Sequence, residues 1–407
     1  MVVREEVSRW LADHWDPALG LREWRALLAD SGWGRPTWPR RWFGRGLTPA
    51  DLDVVRAAFA AAGAVGVPSN TAVNLVAPTI LEYGSDLLRS TLLRPMLIGD
   101  HTWTQLFSEP GSGSDLAGLT TRAERRGDRW IVNGQKVWNS GAESAERGLL
   151  LARTDWDAPK HRGITCFALD MSHPGVEVRP LRQMNGYATF AEVFLTDVEV
   201  SDTDVVGRVN DGWAVATATL VNERNLGAGA GALVAPWALD SPAGRCVREA
   251  AEEAARAAHH YRWYAQRYGR ADLVATAHSA DPHVRQAIAR VVTLQHIAGW
   301  TAGRARANIR LGRDPGPEGS LAKLMTSELA RASASAHAQL AGTGVMLGDT
   351  LTAEILLSVP AVSIAGGTDE IQRNILAERV LGLPRDPSSD ARVPFRDTRR
   401  NPASGTS

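Results

Sequence analysis

Arg129-Trp-Ile-Val-Asn-Gly-Gln-Lys-Val-Trp138 is the stretch on which the fold turns. Two strand-like runs flank Asn133-Gly134, the strongest short-range signal for a two-residue hairpin. From about Thr104 to Val206 the apolar residues keep the period of a strand. Gly148-Leu-Leu-Leu-Ala-Arg153, Gly163-Ile-Thr-Cys-Phe-Ala-Leu169 and Ala191-Glu-Val-Phe-Leu195 read as further strands. The expectation is a compact antiparallel, barrel-like β domain.

On both sides the pattern is helical. Thr48-Pro49 is an N-cap and first-turn pair ahead of Asp51 to Phe59. Leu75 to Tyr83 and Leu87 to Ile98 carry apolar residues at three-to-four spacing. Six of the 14 Trp lie between Trp10 and Trp42 and read as helix-packing anchors. After Gly212 the helical period returns and holds to about Leu383, with long runs from Val247 to Tyr268 and from Pro282 to Gly312. Arg385 to Ser407 is polar and rich in Pro, Ser and Arg, as a disordered tail would be. The chain is thus expected to be α+β and mainly α. Its parts are a helical domain (1–103), a β domain (104–206), a second helical domain (207–384) and a tail (385–407).

Composition narrows the function. The 407 residues allow two or three domains around a sizeable core. Lys+Arg and Asp+Glu both number 45, so no basic excess exists for nucleic acid. Cys166 and Cys246 form no CxxC, which excludes a zinc knuckle or disulfide framework. Together with Arg4, Glu5 and Glu6 where a signal peptide needs apolar residues, this makes the cytoplasm the expected location. Leu220 to Leu239 comes nearest to a membrane span, but Glu223 and Arg224 interrupt it. The ten His show no HExxH, and no metal site is expected. Ser320-Leu-Ala-Lys323 fits SxxK by chance, because SDN and KTG are absent.

Four segments carry chemistry. Phe107-Ser-Glu-Pro-Gly-Ser-Gly-Ser114-Asp is a loop whose small residues, Gly113 among them, let a ligand approach backbone amides. Lys136-Val-Trp138-Asn-Ser140-Gly offers an indole face and a hydroxyl two residues apart on a strand, suited to a flat heteroaromatic ring. Ala218 to Gly231 places Glu223-Arg224 in an apolar helix, where a carboxylate can work as a base near neutrality; the alternative is a structural ion pair. Gly227, Gly229 and Gly231 thin that helix and make room for a substrate. Ser363-Ile-Ala-Gly-Gly-Thr368-Asp-Glu370 sets an N-cap and an acidic first turn after two glycines; a well-capped helix alone would also account for it.

Taken in order, these segments resemble the acyl-CoA dehydrogenase family over about residues 50–384. The resemblance implies FAD between the β domain and the C-terminal helices. A carboxylate takes the α-proton of an acyl thioester, the β-hydrogen leaves as hydride, and an electron-transfer flavoprotein collects the electrons. It implies that Gln105, Phe107 and Ser108 meet the flavin ring, that Ser114 lies near the pyrophosphate and the thioester ligand with Gly113 in the same loop, and that Trp138 and Ser140 face the isoalloxazine. Thr368 and Glu370 match FAD-contacting positions. Gln339 and Gly342, in Gln339-Leu-Ala-Gly342-Thr-Gly, match a loop that touches the FAD of a neighbouring subunit, which implies a tetramer.

The chain departs from the family pattern twice. Gly366 stands where most relatives carry the catalytic glutamate, so Glu223 matches the variant similar to isovaleryl- and long-chain-acyl-CoA dehydrogenases, with Arg224 orienting the base or the acyl carrier. Ala265 stands where an Arg-x-x-Phe-Gly motif would clamp the FAD pyrophosphate, leaving Arg262, Arg267 and Arg285 as candidates to replace it. This pattern resembles an actinobacterial branch that includes heteromeric dehydrogenases for steroid side chains. The alternatives are a half-site or flavin-sharing subunit of such a heteromer, and a dehydrogenase or oxidase acting on a carrier-protein thioester.

Overall fold

A computed structural model of the chain describes residues 2–226, 244–311, 313, 318–348, 350–385, 390 and 392–398. They fall into two compact units. The first comprises residues 1–181, 189–256 and 388–407, the second 182–188 and 257–387.

The first unit opens with helices α1 (Val2–His14), α2 (Leu21–Ser31), α3 (Pro49–Ala62), α4 (Ala77–Tyr83) and α5 (Asp86–Ile98). Thr48 and Asp51 form the capping box that starts α3, and Ser85 caps α5 through the Leu88 N–H. The early tryptophans are packing anchors as expected. Trp24 and Trp33 are fully buried, and the Trp24 indole donates to the Val65 carbonyl at 2.6 Å. No single helix among the described residues is long and apolar enough to cross a membrane.

Eight strands follow: β1 (Trp103–Leu106), β2 (Arg122–Arg126), β3 (Arg129–Ser140), β4 (Arg147–Arg153), β5 (Ile164–Asp170), β6 (Val176–Leu181), β7 (Phe190–Ser201) and β8 (Val205–Val206). The sheet is open, not barrel-like, and runs β6-β7-β3-β2-β4-β5-β8. It is not wholly antiparallel either, since β1 lies parallel to β4, Trp103 opposite Arg147. A parallel pair needs a long crossover, and residues 107–146 supply it. Alternation along a strand reports which face is buried, not whether the sheet closes.

Asn133-Gly134 is not a hairpin turn. The β2–β3 turn is Gly127-Asp128, with Gly127 at φ +66°, and β3 continues through Asn133-Gly134 with a register shift against β7. The glycine is needed for close approach: a Cβ at 134 would lie 2.7 Å from Thr121 Cα. Asn133 instead exchanges two hydrogen bonds with Asp197, at 2.9 and 3.0 Å. Helices α6 (Gly212–Leu226) and α7 (Arg245–His260) follow the sheet. Both cysteine thiols are buried and free; burial pushes Cys246 up to about 12 and Cys166 higher still.

Part of the polar tail is ordered. Residues 392–398 lie against the β4–β5 loop, with a 3-10 turn at Phe395–Asp397 and Phe395 buried. One aromatic side chain among many polar ones is enough to anchor it.

The second unit contains α8 (Tyr264–Arg267), α9 (Ala271–Ala275), α10 (Pro282–Arg310), α11 (Glu318–Ala341), α12 (Leu351–Ser358) and α13 (Asp369–Arg379). Its cores are small-residue contacts, Ala330 and Ala334 against Ile355, Val359 and Val362, and Ala336 against Val274 and Val291. Thr368 caps α13 by accepting from the Ile371 N–H at 3.3 Å.

Candidate active site

In the first unit, β1 and its continuation are laced to the C-terminal half of β3. Asn139 Nδ2 donates to the Gln105 carbonyl at 2.7 Å, the Val137 N–H to the Ser108 carbonyl at 2.9 Å, and Lys136 Nζ to the Phe107 carbonyl at 3.0 Å. These bonds bring Gln105, Phe107, Ser108, Trp138 and Ser140 into one neighbourhood. The simple strand geometry expected at 138 and 140 is broken, however. A register shift between Lys136 and Asn139 makes a bulge, and Trp138 has φ +63°. That conformation is costly for a bulky residue and is found where function demands it. It turns the indole outward, so Trp138 is 57% exposed with its edge against Phe190.

The Ser108 and Ser140 hydroxyls are half-buried and make no hydrogen bond among the described residues. Asn139 Oδ1 is buried without a partner. An open indole face beside unused hydroxyls fits the polar edge and flat face of a flavin ring.

The loop after β1 is held from beneath by a buried ion pair that sequence reading passed over. Lys136 Nζ lies 2.9 Å from Glu109 Oε1, with Lys136 wholly buried and Glu109 nearly so. Glu109 also accepts from the Thr120 N–H at 2.7 Å, the Thr120 hydroxyl at 2.9 Å and the Thr121 N–H at 2.8 Å. Burial pushes its pKa up, but the Lys136 charge and these hydrogen bonds outweigh burial and hold it down at about 2. For Lys136 burial dominates and lowers its pKa, with Glu109 opposing. Gly113 and Ser114 stand exposed at the loop tip, and the space around Gly113 is open.

Glu223 is half-buried near the end of α6. The helix packs on α4 and on the π-helical turn Ala72–Val76. Pro78 has no N–H to give the Asn74 carbonyl, and the ladder widens so that the Ala77 N–H reaches back to Ala72. One turn before Glu223, buried Thr219 meets Thr79 of α4 hydroxyl to hydroxyl at 3.1 Å. The Arg224 side chain and Gly227, Gly229 and Gly231 lie outside the described residues.

The second unit holds the remaining candidates. Gly366 and Gly367 have φ +67° and +85° and lead into Thr368. A side chain at 366 would sit in the left-handed region, which suits glycine. Glu370 is exposed and pairs with Arg373 at 3.4 Å. Asp369, its neighbour, is buried; it accepts from Lys323 at 3.0 Å and from Arg331. Burial raises the Asp369 pKa, but hydrogen bonds from Arg331, Ser327 and Lys323 more than reverse this and hold it well below the usual carboxylate range. Gln339 is exposed at the end of α11, and Gly342 has φ +53° in open space.

Among the three arginines that stand near Ala265 in sequence or follow it, Arg262 donates to the Tyr187 hydroxyl at 3.3 Å, and Arg285 is exposed. Arg267 lies over the Tyr264 ring at 5.3 Å and keeps a buried Nε without a partner. No cluster of His, Cys, Asp and Glu among the described residues is suited to a metal.

Residues 2–100, 104–198 and 210–381 match the family models for the N-terminal, middle and C-terminal domains of acyl-CoA dehydrogenase. Acyl-CoA dehydrogenase FadE34 of Mycobacterium tuberculosis is 38% identical over 384 residues, 94% of this chain. The chain spans about half that relative's length, 49%. Acyl-CoA dehydrogenase IpdE1 of the same organism is 33% identical over 380 residues, covering 90% of this chain and 88% of its own. A solved structure, the ChsE4–ChsE5 complex from Mycobacterium tuberculosis, aligns with TM-score 0.62 at 26% identity over 95% of this chain and 97% of that one.

Proposed function

The chain belongs to the acyl-CoA dehydrogenase family, oxidoreductases of the acyl CH–CH bond, and from that premise we propose that it desaturates an acyl-CoA thioester between Cα and Cβ with Glu223 as base. The observation that carries this reading is a half-buried carboxylate on α6 combined with a glycine, in a left-handed conformation, at position 366. FAD, when bound, supplies the acceptor for the β-hydride, and the product is the trans-2-enoyl thioester. Glu223 takes the α-proton on a carboxylate oxygen. An α-proton of a thioester is a weak acid, so a base shielded from water is needed to remove it. Arg224 orients the base or the acyl carrier.

Trp138 packs against the flavin ring, Ser108 and Ser140 offer hydroxyls to its polar edge, and Gln105 and Phe107 fix the strand beside it. Gly113 and Ser114 receive the pyrophosphate or thioester end. Thr368 and Glu370 are further FAD-contacting residues, while Gln339 and Gly342 serve the FAD of a neighbouring subunit in a tetramer. Arg267, with its unused buried donor, takes the place vacated at Ala265. An electron-transfer flavoprotein in the cytoplasm is the acceptor.

Ala265 favours a second reading, a flavin-sharing subunit of a heterotetramer, and a neighbour solved as a ChsE4–ChsE5 complex is in keeping with it. The acyl group in that case is a steroid side chain. The test of the main reading is Glu223→Gln. Its flavin absorbance is expected to match that of the parent, while enoyl-thioester formation falls at least a thousandfold. Turnover within tenfold of the parent would remove Glu223 from the mechanism.

A further inference from the structure

The last family-model match ends at residue 381, yet residues 392–398 are part of the first unit. Their backbone is bonded to the β4–β5 loop: the Phe395 N–H donates to the Ala158 carbonyl and the Arg396 N–H to the Trp156 carbonyl, both at 3.0 Å. Arg396 pairs with Asp157, and the Phe395 and Trp156 rings lie 5.4 Å apart. The Phe395 ring, 1% exposed, sits 3.6 Å from the guanidinium carbon of Arg153.

Arg153 is a wholly buried cation at the end of β4. It donates to the Ala117 carbonyl at 2.6 Å, to the Leu119 carbonyl at 3.4 Å and to the Lys160 carbonyl at 2.8 Å. The first two carbonyls belong to the turn that closes the Ser112–Asp115 loop. Lys160 reaches the same loop from the other side, at 3.0 Å from both Asp115 carboxylate oxygens, and the Ser112 hydroxyl donates to the Asp115 carbonyl at 2.6 Å. Tail, β4–β5 loop, Arg153 and ligand loop therefore form one connected set of contacts.

We propose that residues 392–398 are a clasp that fixes the Ser112–Asp115 loop through Arg153 and Lys160, which makes Phe395 and Arg153 positioning residues for the pyrophosphate-bearing ligand of that loop. A buried guanidinium tolerates its desolvation only while carbonyls and a ring face surround it. Without Phe395, water reaches one face of the guanidinium, the side chain is free to swing outward, and the Ala117 and Leu119 carbonyls lose their donor. The ligand side of this inference rests on the reading of the loop given above; the mechanical side does not.

The test compares the full chain, Phe395→Ala, and a chain ending at Arg385. Hydrogen exchange is followed at residues 112–121, and FAD affinity is measured by fluorescence titration. Both variants are expected to exchange at least tenfold faster at 112–121, with β6 and β7 unchanged, and to bind FAD about tenfold more weakly. Synthetic peptide 390–398 added to the truncated chain is expected to restore protection. Exchange at 112–121 within twofold of the parent overturns the clasp. So does a rise spread evenly over all strands, which would mean plain loss of stability. A parent chain that binds no FAD overturns the reading of it as a self-sufficient dehydrogenase and favours the flavin-sharing heteromer, while the exchange result still decides the clasp.

Discussion

Glu109 and Lys136 make one ion pair out of reach of water, and its energetics set a pH dependence. The folded pKa of Glu109 is about 2, below its ordinary 4.5. A depressed carboxyl pKa stabilises the fold above the unfolded value, and the benefit is lost as pH falls through the folded one. The gap amounts to about 3 kcal/mol. Glu109→Gln leaves the Lys136 ammonium buried beside a neutral amide, at a cost of about 3–5 kcal/mol near neutrality. Urea unfolding at pH 6 and pH 2 is expected to show the parent converging on this variant by about 3 kcal/mol as pH falls. A difference that stays constant with pH would refute this account. The sequence hid the pair for a physical reason: in a strand of a sheet covered on one side, a lysine reads as the solvent-facing alternate. Alternation along β3 nevertheless sets Lys136 with the buried Trp130 and Val132, and the bulge that follows turns Trp138 outward. Glu223 and Trp138 were nameable in advance because each stands out against its own neighbours.

At the scale of elements, the helices were legible because their ends are written locally. Thr48 caps α3 and Thr368 caps α13 as their spacing predicts. The strands were legible by period, but Asn133-Gly134 misled. A turn and a close backbone approach both call for glycine, and only the pairing partner tells them apart. Gly134→Ala tests which is at work. In a tight turn the cost would come from backbone strain alone. Here the added methyl meets Thr121 Cα at 2.7 Å, inside the sheet. A loss of roughly 1–3 kcal/mol is expected in urea unfolding. The double variant Gly134→Ala/Thr121→Gly removes Thr121 Oγ1 and Cβ, 2.5 and 2.8 Å from the added methyl, but keeps Cα and the φ of +158°, so it is expected to recover part of the loss, where a turn strained only in its own backbone would recover none. The parallel partnership of β1 and β4 was invisible for a related reason, since it joins residues some forty apart in the chain.

For the whole molecule, the question is whether one kind of chain completes the proposed flavin site. In that proposed site, Arg267 keeps a buried Nε without a partner two residues beyond Ala265. Purified alone, the chain is expected to carry a visible flavin spectrum at close to one FAD per chain. An apoprotein that stays colourless after incubation with FAD would favour the heterotetramer and direct the search to a partner chain. The resemblance read from four motifs gave the family, because those motifs recur in order. It gave no hint of the clasp, since a lone phenylalanine in a polar tail has no period to betray it.

The first unit is discontinuous, and this bears on how it is made. Its segment at 388–407 follows the whole of residues 257–387 in the chain. On a ribosome adding 5–20 residues per second, Arg153 therefore waits roughly seven to thirty seconds for Phe395 after the rest of its unit has emerged. During that interval a nascent β sheet carries a buried cation with one face uncovered. A chaperone that lingers on this sheet until residue 398 has left the exit tunnel would bridge the gap.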